Sequence, residues 1–398
     1  VRRAVAERDP DNKIDLATVG RRIDTETSAI ALGWRSNSIK SHLQNFNTPW
    51  CMETNTTTID SYRALALQVT CHAVNQASDR TQARSLMQQT INRLAQQIAA
   101  SIAFIGFDCR LIVLPEYFLT GFPMGESLAA WAEKACLEMA GAEYEALGKI
   151  AQKHNIFLAG NAYELDPKFP GLYFQTCFVI DPSGSIVLRY RRLNSMFAPT
   201  PHDVWDKYLD CYGLEGVFPV AKTAIGNLAA LASEEILYPE VARCLAMRGA
   251  EIFLHSTSEV YSKMLTPKDA AKISRAVENM AYVVSANTAG IANIPIPIAS
   301  ADGGSKIIDH KGIVLAETAT GESMAAFAEI DLAALRRDRR RPGLNNLLSR
   351  QRFELYAESY RQSHFYPANT MLDKEVDRKH FIQTQQETIE RLGKLGII

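Results

Sequence analysis

Residues 110–123 read RLIVLPEYFLTGFP, and this stretch decides the architecture. Leu111 to Leu114 form a short unbroken apolar run, which predicts a strand buried on both faces. Pro115 ends it, because proline has no N–H to give to a ladder. Glu116 then stands just beyond the strand's carboxyl end, where α/β folds place their sites. The same layout occurs twice more. IVLRYR (186–191) precedes Arg192, and LAALA (228–232) precedes Ser233, with Glu234, Glu235 and a helix-like YPEVAR (238–243) after it.

Working outward, ALALQVTCHAV (64–74) predicts a strand and QARSLMQQTINRLAQQIAASIAFIGF (82–107) an amphipathic helix. Its Leu86, Ile91, Leu94, Ile98 and Ile102 fall near helical spacing. A helix over 142–154, a strand over 156–164 and a hairpin over 174–192 follow, the last turning at Asp181-Pro182-Ser183-Gly184. Beyond Ser233 come a strand (250–258), a helix (274–281), a strand (281–290) and a second hairpin over 305–318, turning at His310-Lys311-Gly312. Strands that alternate with helices but are interrupted by hairpins predict α/β layers with mixed sheets, not a purely parallel doubly wound sheet.

The two ends read differently. Residues 1–60 are polar and Asn/Thr-rich without sustained periodicity, and are expected to form an N-terminal extension. Residues 61–332 hold the alternating pattern. From 333 to 398 a C-terminal oligomerisation arm is expected, opening with RRDRRRPG (336–343). That arginine run reads as a solvated or intersubunit face. Lys+Arg 43 against Asp+Glu 44 gives a formal net charge of −1, so no overall field draws the chain to nucleic acid or anionic lipid.

Apolar residues at 47% and charged residues at 22% of the 398 exclude disordered and fibrous classes. No apolar run approaches the roughly 20 residues that span a bilayer. The opening VRRAVAERDPDNK has no apolar core of a secretory signal. Seven scattered cysteines, none in C-x-x-C, predict neither a zinc site nor a disulfide framework but a reducing, cytoplasmic setting. With no glycine-rich phosphate loop and no His/Cys cluster, no metal and no cofactor is expected.

Each candidate has a structural alternative. Glu116 could pair with an arginine. Ser233 could be a helix N-cap, with Glu235 or Glu240 in the first turns. As a small polar residue between a strand and a helix start, Ser233 could instead be a nucleophile beside backbone N–H groups that stabilise an oxyanion.

LIVLPEYFLTGFP (111–123) resembles the first motif of the nitrilase superfamily, the carbon–nitrogen hydrolases: an apolar strand, Pro-Glu, then Gly-x-Pro. RYRRLN (189–194) sits where that family has Tyr-Arg-Lys. GNLAALASEEILYPEVARCLAMRGAEIFLHSTS (226–258) is similar to its third motif. SRAVENMAYVVSANTAG (274–290) and GGSKIIDHKGIVLAE (303–317) agree as supporting segments. The resemblance implies an α-β-β-α sandwich, homo-oligomers, and hydrolysis of a small amide or nitrile by a Glu–Lys–Cys triad.

Glu116 matches the general base of that triad. Arg192 stands where lysine is expected and Ser233 where the nucleophilic cysteine is expected; Cys244, in the next helix, is out of register to replace it. PHDVW (201–205) resembles a segment of the amidase branch and puts Asp203 in the place of an auxiliary glutamate. Tyr117, Asp203 and the backbone N–H of Glu234 are expected on the substrate side.

A serine hydroxyl needs a well-aligned base, whereas a thiol is partly ionised at neutral pH. Arginine stabilises an oxyanion but cannot shuttle protons. Three explanations are compatible with these departures. The serine replaces cysteine in an otherwise ordinary enzyme, the chain is an inactive ligand-binding or assembly protein, or it is a hydrolase with a serine nucleophile. An inactive protein predicts a site blocked by an Arg192–Glu116 ion pair.

Overall fold

The computed structural model describes residues 60–372 and 376–398. The extension expected over 1–60 lies outside them, apart from residue 60. The first half of the described chain runs β1 (Tyr62–Ala66), β2 (Cys71–His72), α1 (Arg80–Ile105), β3 (Cys109–Val113), α2 (Leu128–Ala135), β4 (Leu137–Glu138), α3 (Ala142–His154), β5 (Phe157–Leu165), β6 (Tyr173–Ile180) and β7 (Ile186–Arg191). After α4 (Trp205–Val217), the second half runs β8 (Ala221–Thr223), β9 (Gly226–Ala232), α5 (Pro239–Met247), β10 (Ile252–Ser256), α6 (Pro267–Asn279), β11 (Tyr282–Ala286), β12 (Ile291–Ala292), β13 (Lys306–Ile308), β14 (Val314–Glu317) and β15 (Phe327–Ile330). Helices α7 (Leu332–Arg340), α8 (Glu354–Gln362) and α9 (Lys379–Lys394) close the chain.

The two halves build the same sheet. In the first, β1, β3 and β5 are parallel neighbours and β5, β6 and β7 continue antiparallel. In the second, β9, β10 and β11 are parallel neighbours and β11, β13 and β14 continue antiparallel. The expected mixed sheets are therefore present in two copies, with β15 and β8 added at the outer edges.

Alternation along β3 shows how the layers stack. Leu111 and Val113 share a core with β9, β10 and β11, whereas Ile112 and Leu114 pack with α1 and α3. All four are fully buried, as an unbroken apolar run requires. The result is the α-β-β-α sandwich, with α5 and α6 covering the far sheet.

Helix α1 starts at Asp79, whose carboxylate accepts the Gln82 N–H. It buries Met87, Ile91, Leu94, Ile98 and Ile102. The strand expected over 64–74 is interrupted instead: β1 ends at Ala66 and β2 is a separate pair of residues. The break centres on the buried Gln68. Its Oε1 accepts from Ser305 and Thr318, and its Nε2 donates to the carbonyls of Ala319 and Gly321. Its backbone keeps only an isolated antiparallel bridge, to Ser323, with bonds of 3.0 and 2.9 Å.

The arginine run is not a free basic face. Arg336 forks onto Glu251 at 2.7 and 2.9 Å, and Arg339, one turn on, donates to the carbonyls of Ala250 and Met280. Three-residue spacing puts this pair on the inner face of α7, and Arg337 and Arg340 on the exposed one. Leu332 and Leu335 of α7 belong to the core shared by the two sheets. Among the described residues no helix is long and apolar enough to cross a membrane.

Candidate active site

Three strand ends converge. Beyond β3, the Glu116 N–H donates to the Thr257 carbonyl at 3.3 Å, and Ser256 Oγ donates to the Leu114 carbonyl at 2.7 Å. These bonds tie the carboxyl end of β3 to that of β10. Tyr117 follows with φ +60°, a left-handed conformation unfavourable for a bulky side chain. Ser233 follows β9 with φ +49°. Such a backbone costs about 1–3 kcal/mol and persists only where its surroundings over-determine it.

The surroundings of Ser233 are clear. His255 on β10 donates from Nε2 to the Ser233 carbonyl at 2.8 Å, and its Nδ1 meets Ser285 Oγ at 2.8 Å. A carbonyl only accepts, so the ring carries its proton on Nε2 and Ser285 donates to Nδ1. Burial holds this histidine far below its ordinary pKa, with Lys272 adding to the effect, so it stays neutral. Ser233 is not a helix N-cap. Its side chain caps nothing, and α5 begins with Pro239 after Tyr238. The proline needs no capping acceptor for its own nitrogen, which removes one task of a cap.

Arg192 leaves the end of β7. Arg189 and Arg191, on one face of that strand, bind Glu164 and Asp166, while Arg192 turns to the cavity. Its Nε donates to the Asn194 carbonyl at 2.6 Å and one Nη1 to Gln175 Oε1 at 2.7 Å. The same Nη1 lies 3.4 Å from Glu116 Oε1, and Nη2 pairs with the Glu234 carboxylate. Burial opposes its charge, yet Glu116, Tyr117, Glu234 and Glu235 outweigh that and raise its pKa further. Gln175 Nε2 in turn donates to Glu116 Oε1 at 2.6 Å and to Asn161 Oδ1 at 3.1 Å.

Beneath this, Glu235 is wholly buried. Burial pushes its carboxyl up, against the pull of Arg192, the Tyr190 hydroxyl at 2.7 Å, and the Leu193 and Asn194 N–H groups at 2.7 and 2.9 Å. It fixes the loop that carries Arg192.

Glu116, Arg192 and Ser233 line one cavity of about 370 Å³, together with Tyr117, Gln175 and Lys268. This layout, and the chain's match to the carbon–nitrogen hydrolase family over residues 68–340, settles the lineage. The chain belongs to the carbon–nitrogen hydrolases.

Its relatives are distant. The nitrilase and fragile histidine triad fusion protein NitFhit of Caenorhabditis elegans is 28% identical over 229 residues, 56% of this chain and 50% of that protein. A formamidase of Helicobacter acinonychis (strain Sheeba) is 28% identical over 190 residues, 46% of this chain and 52% of the formamidase. The chain thus spans about half the length of these curated relatives. Among solved structures, Nit3 of Saccharomyces cerevisiae superposes with a TM-score of 0.55 at 20% identity, covering 71% of this chain and 95% of Nit3. An amidase from Nesterenkonia sp. gives 0.53 at 19%, covering 75% and 96%. At these identities the likeness shows the fold.

Two expected substrate-side residues are placed apart from the rest of the carbon–nitrogen hydrolase site or differently within it. Asp203 lines a neighbouring cavity of about 510 Å³ with His202, Trp205 and Tyr366. Its carboxylate accepts from Thr200 N–H and Oγ at 2.9 and 2.7 Å and from Thr370 Oγ at 2.9 Å, closing a capping box. Glu234 reaches both cavities, and its carboxylate serves as Arg192's partner.

No described cysteine lines the Ser233 cavity. Cys177 lies behind it, held by Asn161, with its thiol pushed up to about 12 by burial. Cys244 sits on α5 without entering it. Three side chains at or around the cavity escaped sequence reasoning. Gln175 had a signal, being an amide inside an otherwise apolar strand. Lys268 and Glu235 had none, since a charged residue beside a helix start or in a run of glutamates reads as solvated.

Proposed function

We propose that this carbon–nitrogen hydrolase cleaves the C–N bond of a small carboxamide or nitrile. Ser233 takes the nucleophile's place and Glu116 the carboxylate base's, while Arg192 with the Glu234 N–H meets the developing oxyanion. One observation carries the reading: side chains from three separate strand ends share one cavity of about 370 Å³, a volume suited to a small substrate. Tyr117 forms part of its wall. Six free cysteines among the described residues support a reducing, cytoplasmic setting, and self-association through residues 333–398 belongs to the same proposal.

A second reading has its own observation. Arg192 lies on Glu116 at 3.4 Å, the ion pair expected of an inactive ligand-binding or assembly protein.

Ammonia release from a panel of small amides and nitriles tests both, using the protein itself, Ser233→Cys, and Ser233→Cys with Arg192→Lys. Turnover by the unaltered protein that Glu116→Gln abolishes is the result expected of the serine hydrolase. Turnover by the double variant alone favours the inactive reading. Silence from all three removes the hydrolase reading.

A further inference from the structure

We propose that Lys268 is the proton partner of Ser233, so that the site works through a serine–lysine pair. The inference rests on the hydrolase reading and changes which group takes the serine's proton. Lys268 Nζ lies 3.5 Å from Ser233 Oγ and 3.5 Å from Thr257 Oγ. Among the described residues no other side chain hydrogen-bonds the Ser233 hydroxyl. The separation is at the long limit, as nucleophile–base contacts commonly are before substrate arrives. Glu116 makes no such contact, and its Oε1 is already held by Gln175 and Arg192.

The charges around Lys268 favour this role. No carboxylate of the described residues lies within ion-pairing distance of it. Asp269, its neighbour on α6, is engaged by Lys272 and Lys306, and Glu234 by Arg192. Glu116, Arg192 and Arg378 face it across the cavity. His255 from β10 is neutral, as described above. Lys268 is also the second residue of α6, at the end of a helix whose dipole favours anions over cations.

The chemistry then balances. Neutral Lys268 takes the proton of Ser233 Oγ, whose electron pair forms the bond to the substrate's carbonyl carbon while the C=O pair moves onto oxygen. Collapse breaks the C–N bond, and the Lys268 ammonium gives its proton to the departing nitrogen. In the second half a water molecule gives its proton to Lys268 and its oxygen to the acyl carbon. The C–Oγ bond breaks and Ser233 regains a proton from Lys268.

Methanesulfonyl fluoride, which sulfonylates an activated serine with loss of fluoride, tests the pair without a known substrate. Its reaction at Ser233 is followed by intact mass and peptide mapping across pH, in the unaltered protein, Lys268→Met, Lys268→Arg and Glu116→Gln. The pair predicts modification that rises with pH as an amine deprotonates. It also predicts rates about 100-fold or more lower in both lysine variants, with Glu116→Gln reporting separately whether the carboxylate takes the serine's proton instead. Circular dichroism confirms that each variant is folded, and the arginine variant keeps charge and bulk while removing the basic lone pair. Equal rates in the lysine variants, a loss confined to Glu116→Gln, or no modification of Ser233 overturns the pair. Modification without ammonia release from any amide leaves the pair standing and ends the hydrolase reading. Ammonia release indifferent to Lys268 does the reverse.

Discussion

The two walls of the cavity are built on different terms. On one, Arg192 is 7% exposed and meets Glu116, Gln175, Glu234 and the Asn194 carbonyl, so its bonding capacity is largely used. On the other, Ser233 sits in a strained conformation and its hydroxyl has a single long contact, to a lysine without an ion pair. The first wall resembles a structural network, in which each group is held by the next. The second leaves its groups unspent. The difference teaches that burial and charge alone do not mark the reactive group, since the most heavily bonded residues are the least free to react.

The comparison breaks most visibly at Arg192. Arg192→Met strips compensation from Glu116 and Glu234, and unfolding free energy by urea titration is expected to fall by about 3–5 kcal/mol. Lesser loss than 1 kcal/mol would show that the network does not hold the wall. Tyr190→Phe removes a donor from a buried carboxylate and is expected to lower stability by about 1–3 kcal/mol in the same titration.

Glu235 adds a pH signature. Its folded pKa is raised, so the folded chain holds the proton more tightly than the unfolded one. Stability from this group is full below the unfolded pKa and declines as pH rises toward the folded one. Glu235→Gln is expected to gain on the unaltered protein as pH climbs through that window, measured by thermal unfolding at a series of pH values; parallel curves would refute it.

On the second wall, Ser233→Gly relieves the left-handed backbone and is expected to stabilise by about 1 kcal/mol by urea titration while removing the nucleophile. A loss of stability there would mean that the hydroxyl contributes more than the strain. The smallest effect belongs to Lys268→Met, expected within about 0.5 kcal/mol of the unaltered protein, because a partly buried side chain without an ion pair stabilises little.

What could be read in advance followed local rules. The run Leu111–Leu114 specified a doubly buried strand because hydrophobic period and proline punctuation act within a few residues. Glu116, Arg192 and Ser233 were legible as strand-end residues for the same reason, and mixed α/β layers followed from strands, helices and hairpins in alternation, whereas the α-β-β-α sandwich came only with the family resemblance. The interruption at Gln68 was not legible, because its partners Ser305 and Thr318 lie more than 230 positions away. Lys268 faces Ser233 only because α6 docks where it does. Arg336 reads as a surface residue until Glu251 is seen beneath it. In each case the deciding contact is tertiary, and a polar residue's local pattern is the same with or without it.

One contact has a consequence for how the protein is made. Arg378 joins the cavity from just before α9, donating to the Pro123 carbonyl at 3.0 Å and stacking over Phe197. The bond spans 255 positions of chain, so this part of the wall is supplied after both sheets have been synthesised. A nascent chain that has already folded its sandwich still has an open cavity on that side. Completion of the cavity therefore depends on the docking of the C-terminal segment and not on the two sheets alone.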